Sequence, residues 1–247
     1  MAHPLAEILA VIAPPGCVSC HAPTAAGERL CPSCTRALPW LRRACPRCAL
    51  PAHRDRGCPA AAAAFTRSWA PMAYEGVARD LVAALKFRAA LPVADLMAAH
   101  MAANLPAALR GPTGAAPPPP GSGDAVPWSS PVSPLLPAIV PVPTVTARRR
   151  RRGFDPAGIL AEALARRLER PLVACLQRRD HARRQVGAGR RARREPGRLV
   201  FAAHDVPPLA LLVDDVHTTG ATLDAAARAL AAEGATVVAA LSYARTL

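Results

Sequence analysis

A chain of 247 residues with 51% apolar content can build one ordinary domain and a small one, but aromatics supply only 4%, so alanine, leucine and valine must fill the core. The net charge of +14 is carried by arginine, Lys86 being the sole lysine, and its excess is confined to one band: residues 148–198 hold 17 basic and 5 acidic side chains. No apolar run is long enough for a membrane span, and Leu5 to Ala13, interrupted by Glu7 and preceded by no Lys or Arg, is unlike a secretory leader. The expected location is cytoplasmic, where paired cysteines read as metal ligands rather than disulfides.

The chain opens with a short amphipathic helix expected over Met1 to Ile12, ended by Pro14-Pro15-Gly16. Two Cys-x-x-Cys knuckles follow, Cys17 with Cys20 and Cys31 with Cys34. Each places two sulfurs on one tight turn, and two such turns close a tetrahedral Zn²⁺ site with no open position, so the metal should be structural. A third pair, Cys45 and Cys48, precedes Cys58. His53 offers a fourth ligand for a second zinc, the alternative being a solvated loop histidine. Residues 1–64 thus form a small cysteine-rich module resembling a zinc ribbon, with Trp40 packing it on its neighbour.

Residues 65–110 form a helical hood. Val77, Leu81, Ala84 and Leu85 share one face of a helix over Tyr74 to Phe87, with Lys86 beside the stripe. A second helix, Val93 to Leu109, turns Leu96, Met97 and Met101 inward and leaves His100 on the surface. Residues 111–137 are rich in Pro and Gly and read as a flexible insertion.

The remaining core, 138–247, alternates strand and helix, which implies a parallel sheet flanked by helices. A strand over Ala138 to Val142 leads through Pro143 to the basic run Arg148 to Arg152. Asp155 caps a helix from Pro156 to Glu169. Residues 178–198 carry nine arginines without apolar periodicity and read as a mobile basic arm. Cys175, among apolar neighbours, reads as a core residue. Leu209 to Val213 is an apolar strand ending in Asp214-Asp215. The turn Thr218-Thr219-Gly220-Ala221-Thr222 then offers hydroxyls and backbone N–H groups at the start of a helix over Thr222 to Glu233, a place that attracts phosphate. Ala235 to Ser242 is the last strand. His217 beside the turn is a candidate acid or base, or else a solvent-facing loop residue.

The order apolar run, Asp-Asp, Thr-Thr-Gly-Ala-Thr resembles the phosphoribosyl pyrophosphate (PRPP) motif of type I phosphoribosyltransferases. That resemblance implies that Asp214 and Asp215 bind the ribose 2′- and 3′-hydroxyls, that Thr218, Thr219, Gly220, Ala221 and Thr222 cradle the 5′-phosphate, and that Mg²⁺ accompanies the ligand. Thr218 stands where purine-salvage relatives usually carry an aspartate, so a purine acceptor is disfavoured.

A wider pattern resembles the ComF family, which includes GntX-like proteins and is associated with natural competence. It comprises the cysteine knuckles, Tyr74 to Phe87, Pro141-Val142-Pro143, the basic run ending Arg152-Gly153-Phe154, and the Asp-Asp motif. The resemblance implies an α/β, type I phosphoribosyltransferase-like fold with a pyrophosphate loop at Pro141 to Thr146. Pro143, Thr144, Arg151 and Arg152 would serve that loop, and Arg178, Gln185 and Arg193 keep family positions in the arm. Asp155-Pro156, Ala182 and Pro196 depart from the family pattern. The implied function is PRPP binding in DNA uptake, with a competence helicase or recombination protein as partner. The alternative is a non-catalytic single-stranded DNA-binding or adaptor protein.

Overall fold

A computed structural model describes residues 16–51, 53, 57–88, 91–110, 136–144, 153–179 and 199–247. The expected helix over Met1 to Ile12, the Pro/Gly-rich insertion, the basic run Arg148 to Arg152 and nearly all of the arginine-rich arm lie outside these residues. In chain order the elements are α1 (Pro32–Arg36), β1 (Ser68–Trp69), β2 (Met72–Ala73), α2 (Gly76–Arg88), α3 (Leu91–Asn104) and α4 (Ala107–Arg110). There follow β3 (Ala138–Pro141), α5 (Pro156–Leu168), β4 (Leu176–Arg179), β5 (Val200–Ala203), β6 (Leu209–His217), α6 (Ala221–Ala232) and β7 (Val237–Arg245).

The central sheet is parallel throughout. β3 pairs with β6 and β6 with β7, and β1 and β2 share the outer edge of β7 in succession. The strands are almost wholly apolar because both faces are covered. Leu211, Val213, Ala239, Leu241 and Tyr243 enter one core with α2, α3 and α5. Ala210, Leu212, Val238 and Ala240 enter a second core with Leu223, Ala226, Ala227 and Leu230 of α6. Small residues on both sides let α6 lie close to the sheet, which is how a chain poor in aromatics fills its interior. This is the phosphoribosyltransferase-like α/β arrangement, a parallel sheet flanked by helices.

Four local differences from expectation have physical causes. The helix expected to run from Val93 to Leu109 stops at Asn104 and resumes as α4, because Pro106 cannot donate to the helical ladder and disfavours helix at the residue before it. β4 and β5 form a separate antiparallel pair at the base of the arginine-rich arm, where alternation alone suggested only parallel strands. β7 continues to Arg245, past the polar Ser242, because its edge is still paired with β2 and β6 there. His100 is not a plain surface residue: its Nδ1 is 3.2 Å from the Tyr243 hydroxyl and Trp40 meets its ring edge-on at 5.2 Å.

The cysteine-rich segment does not sit apart. Cys17, Leu30, Cys31, Cys34 and Leu38 join the core of α2 and α3, whereas Cys48, Ala60 and Phe65 join the core of α6. Its two halves therefore straddle the β1/β2 edge and seal opposite faces of the sheet.

Candidate anion-binding site and metal centres

Parallel strands end in a crevice that collects ligands, and the C-terminal ends of β3 and β6 meet there. Register places Pro141 beside Val213, and Val142 N–H donates to the Val213 carbonyl at 2.9 Å, so Pro143 and Thr144 leave the sheet next to Asp214. Asp155, the α5 cap, accepts from Ala157 N–H at 3.2 Å and also ties down that loop, accepting from the Thr144 hydroxyl at 2.9 Å and its N–H at 3.2 Å. The Asp-Pro departure from the family pattern thus fixes the loop expected to hold pyrophosphate.

Asp214 and Asp215 lie within β6, which runs on to His217. Lys86 of α2 reaches Asp215, Nζ to Oδ1 at 2.9 Å, while Asp214 Oδ1 accepts the Asp215 N–H at 2.8 Å. Burial and then the charge of Asp215 raise the Asp214 carboxyl to about 8. The lysine was visible in the sequence only as the one lysine among many arginines. Its flexible stem delivers a compact charge to a single carboxylate oxygen.

His217 ends β6 and is 2% exposed, neither a loop residue nor solvent-facing. Its Nδ1 hydrogen-bonds the Ser68 hydroxyl at 3.1 Å and Phe65 packs against the ring. Burial, aided by Arg245, lowers it to about 4, so it is a neutral imidazole at neutral pH. In this setting it supports the turn from beneath.

Thr218 and Thr219 are exposed, and Gly220 caps α6 with φ at 85°, a left-handed conformation suited to glycine. Thr219 Oγ1 accepts from Ala221 N–H at 3.3 Å. The N–H groups of Thr218, Thr219 and Gly220 have no hydrogen-bond partner among the described residues. Ala221 and Thr222 form the first turn of α6. Asp214, Asp215 and Thr218 to Thr222 thus lie along one strand-turn-helix unit, and Pro143 and Thr144 leave the neighbouring strand beside its acids. Arg178 lies on β4 with its guanidinium 5.8 Å from the Phe201 ring centre, and Arg151, Arg152, Gln185 and Arg193 lie outside the described residues.

The metal centres are built from turns. Cys17, Cys20, Cys31 and Cys34 bring their sulfurs within 4.8 Å of one another, as do Cys45, Cys48, His53 and Cys58 their ligand atoms. A zinc tetrahedron with Zn–S bonds of about 2.3 Å has edges of about 3.8 Å, so both sets fit after small adjustments. Cys20 and Cys31 sulfurs are 3.6 Å apart, and Cys48 Sγ is 3.5 Å from His53 Nε2. Burial opposes ionisation of Cys17, but backbone N–H groups aimed at its sulfur bring it down to about 6, whereas burial carries Cys34 up to about 12. Cys45 falls to about 7, again against burial, and Cys48 rises to about 12 through burial. Zinc binds thiolates, so a cation completing either set would displace the protons these sulfurs still hold.

A family profile described as a double zinc ribbon domain matches residues 8–62, which takes in both clusters. "Competence protein F" of Haemophilus influenzae is 37% identical over 93 residues, covering 35% of this chain. Over that stretch the chain is similar to a competence protein. The aligned stretch takes in 41% of the relative, so the chain spans about two fifths of that protein's length. No solved structure gives a significant match. Both ribbon sites are structural zinc sites in character, with four protein ligands each and no open position. Among the described residues no helix is long and apolar enough to cross a membrane.

Proposed function

We propose that this ComF-like chain binds PRPP, or a closely related phosphoribosyl ligand, with Mg²⁺, and that it acts in DNA uptake. One observation carries the binding reading: an Asp-Asp pair at the end of the central strand stands beside a Thr-Gly turn with unpartnered N–H groups at the start of α6. Asp214 and Asp215 accept hydrogen bonds from the two ribose hydroxyls. Thr218 to Thr222 receive the 5′-phosphate with backbone donors, threonine hydroxyls and the positive end of α6. The loop at Pro143 and Thr144 lies toward the diphosphate. Magnesium, bound mainly through ligand oxygens and water, neutralises that diphosphate. Displacement of pyrophosphate from ribose C1 by a nitrogen nucleophile, the C1–O bond breaking and a C1–N bond forming, is the chemistry such a site serves, and the arginines of the basic run and arm are placed in sequence to offset the leaving charge.

The competence context rests on the name of the Haemophilus relative. The arginine band at 148–198 favours contact with a polyanion and supports a second reading, single-stranded DNA binding by the same chain.

Thermal unfolding with PRPP and Mg²⁺ tests the first reading. The melting temperature rises by several degrees at saturating ligand, and the rise disappears in Asp214→Asn/Asp215→Asn. An unchanged melting temperature in the unsubstituted chain sinks the reading. Replacing PRPP by single-stranded DNA in the same titration, at two salt concentrations, measures the second.

A further inference from the structure

Arg245 ends β7 with its side chain only 5% exposed, yet among the described residues it has no carboxylate partner. Its guanidinium faces main-chain carbonyls. Nε donates to the Cys48 carbonyl at 3.0 Å, and Nη1 donates to those of His217 at 2.8 Å, Thr246 at 2.7 Å and Thr218. Desolvating a cation is costly, and carbonyl dipoles alone are a modest return.

A trans peptide is planar, with its C=O and the following N–H directed oppositely. The His217 carbonyl also accepts the Thr246 N–H at 3.1 Å, so strand pairing and Arg245 together turn the Thr218 N–H to the other side of the turn, while among the described residues Arg245 alone holds the Thr218 carbonyl that turns the Thr219 N–H there. Those are two of the N–H groups that have no partner among the described residues. Cys48, whose carbonyl anchors Nε, belongs to the second metal cluster, whose turn is further tied to the strand edge by Ser68 N–H donating to the Pro46 carbonyl at 2.9 Å. Ser68 in turn holds His217.

We propose that Arg245 is a positioning residue of the anion cradle. It orients the Thr218 and Thr219 peptides toward the ligand's monophosphate, and the second metal knuckle, through the Cys48 carbonyl, holds Arg245 in place. The inference rests on the phosphoribosyl reading above and extends it by assigning the zinc ribbon a part in ligand binding.

The test uses the full zinc-loaded chain and its Arg245→Lys and Cys58→Ser variants, titrated calorimetrically with PRPP, ribose 5-phosphate and inorganic pyrophosphate in the presence of Mg²⁺. Lysine keeps the charge but offers one nitrogen where the arginine uses two, Nη1 for the turn and Nε for Cys48, so it cannot hold the turn and the knuckle together. Arg245→Lys is expected to retain two equivalents of zinc and to weaken ribose 5-phosphate and PRPP at least tenfold, while pyrophosphate affinity stays within twofold. Cys58→Ser should reproduce that selective loss with one equivalent of zinc fewer. A merely structural arginine would weaken all three ligands together, and that result, or unchanged PRPP affinity in Arg245→Lys, overturns the proposal. Failure of the unsubstituted chain to bind PRPP or ribose 5-phosphate overturns the phosphoribosyl reading itself and this inference with it.

Discussion

Asp214 and Asp215 are adjacent carboxylates, and Lys86 is paired with Asp215 at 2.9 Å. Asp214 is left with the repulsion of its neighbour and with burial, which together raise its carboxyl to about 8. The sign of the consequence follows from proton linkage. Between the unfolded value of 3.8 and about 8 the native chain holds a proton that the unfolded chain has released. The associated stability is fully present below that unfolded value and is lost as pH rises through about 8. Asp214→Asn removes the titration, so its melting temperature should gain on that of the unsubstituted chain as pH is raised from about 5.5 to about 8.5. A scanning-fluorimetry pH series measures this; a constant difference across the series would show that Asp214 titrates normally. The acid pair was legible in the sequence because its two members are consecutive. Its lysine partner was not, since a contact between α2 and β6 leaves no local pattern.

At the scale of elements, the β6-turn-α6 unit depends on how closely the turn lies over His217. Gly220 has φ at 85°, and a Cβ built there would stand 2.8 Å from His217 Nε2. Gly234, just past α6, has φ at 99° but nothing within 4 Å of such a Cβ. Alanine at either position incurs the left-handed backbone strain of about 1–2 kcal/mol. Only Gly220→Ala also forces the imidazole or the turn to move, so it should be the more destabilising of the two, by about 1–3 kcal/mol in urea denaturation, and it alone should abolish the PRPP-dependent thermal shift. Equal losses would mean that the turn yields without cost. The elements themselves were largely readable: the cap Asp155, the Thr-Gly turn, the apolar face of α2 and the strand before Asp214 all carry local chemistry. The β4–β5 pair escaped because its strands are four residues each and are joined by an arginine-rich stretch without alternation. The role of His217 escaped for another reason: β6 continues past its acids, and burial of a strand end is decided by the chain packed over it.

For the whole molecule, the cysteine spacing announced the metal sites but not their position astride the sheet. One half of the ribbon contributes three buried cysteines to the core of α2 and α3, the other contributes Cys48 to the core of α6, and a hydrogen bond from the Ala64 N–H to Asp224 at 2.7 Å ties the second half to that helix. Structural zinc is worth roughly 10–16 kcal/mol in isolated fingers, as much as the entire stability of an ordinary domain. Losing either ion should therefore be felt beyond the ribbon. The purified chain should contain two equivalents of zinc, as the two ligand sets require, and stripping them with a chelator should lower the melting temperature by at least about 10 °C. Hydrogen exchange then separates the halves. Cys31→Ser should speed exchange in α2 and α3, whereas Cys58→Ser should speed it in α6 and the end of β7, because each substitution loosens the face that its own half seals. Faster exchange confined in both variants to residues before β1 would show instead that the ribbon folds as an appendage, with the sheet able to hold its faces without it.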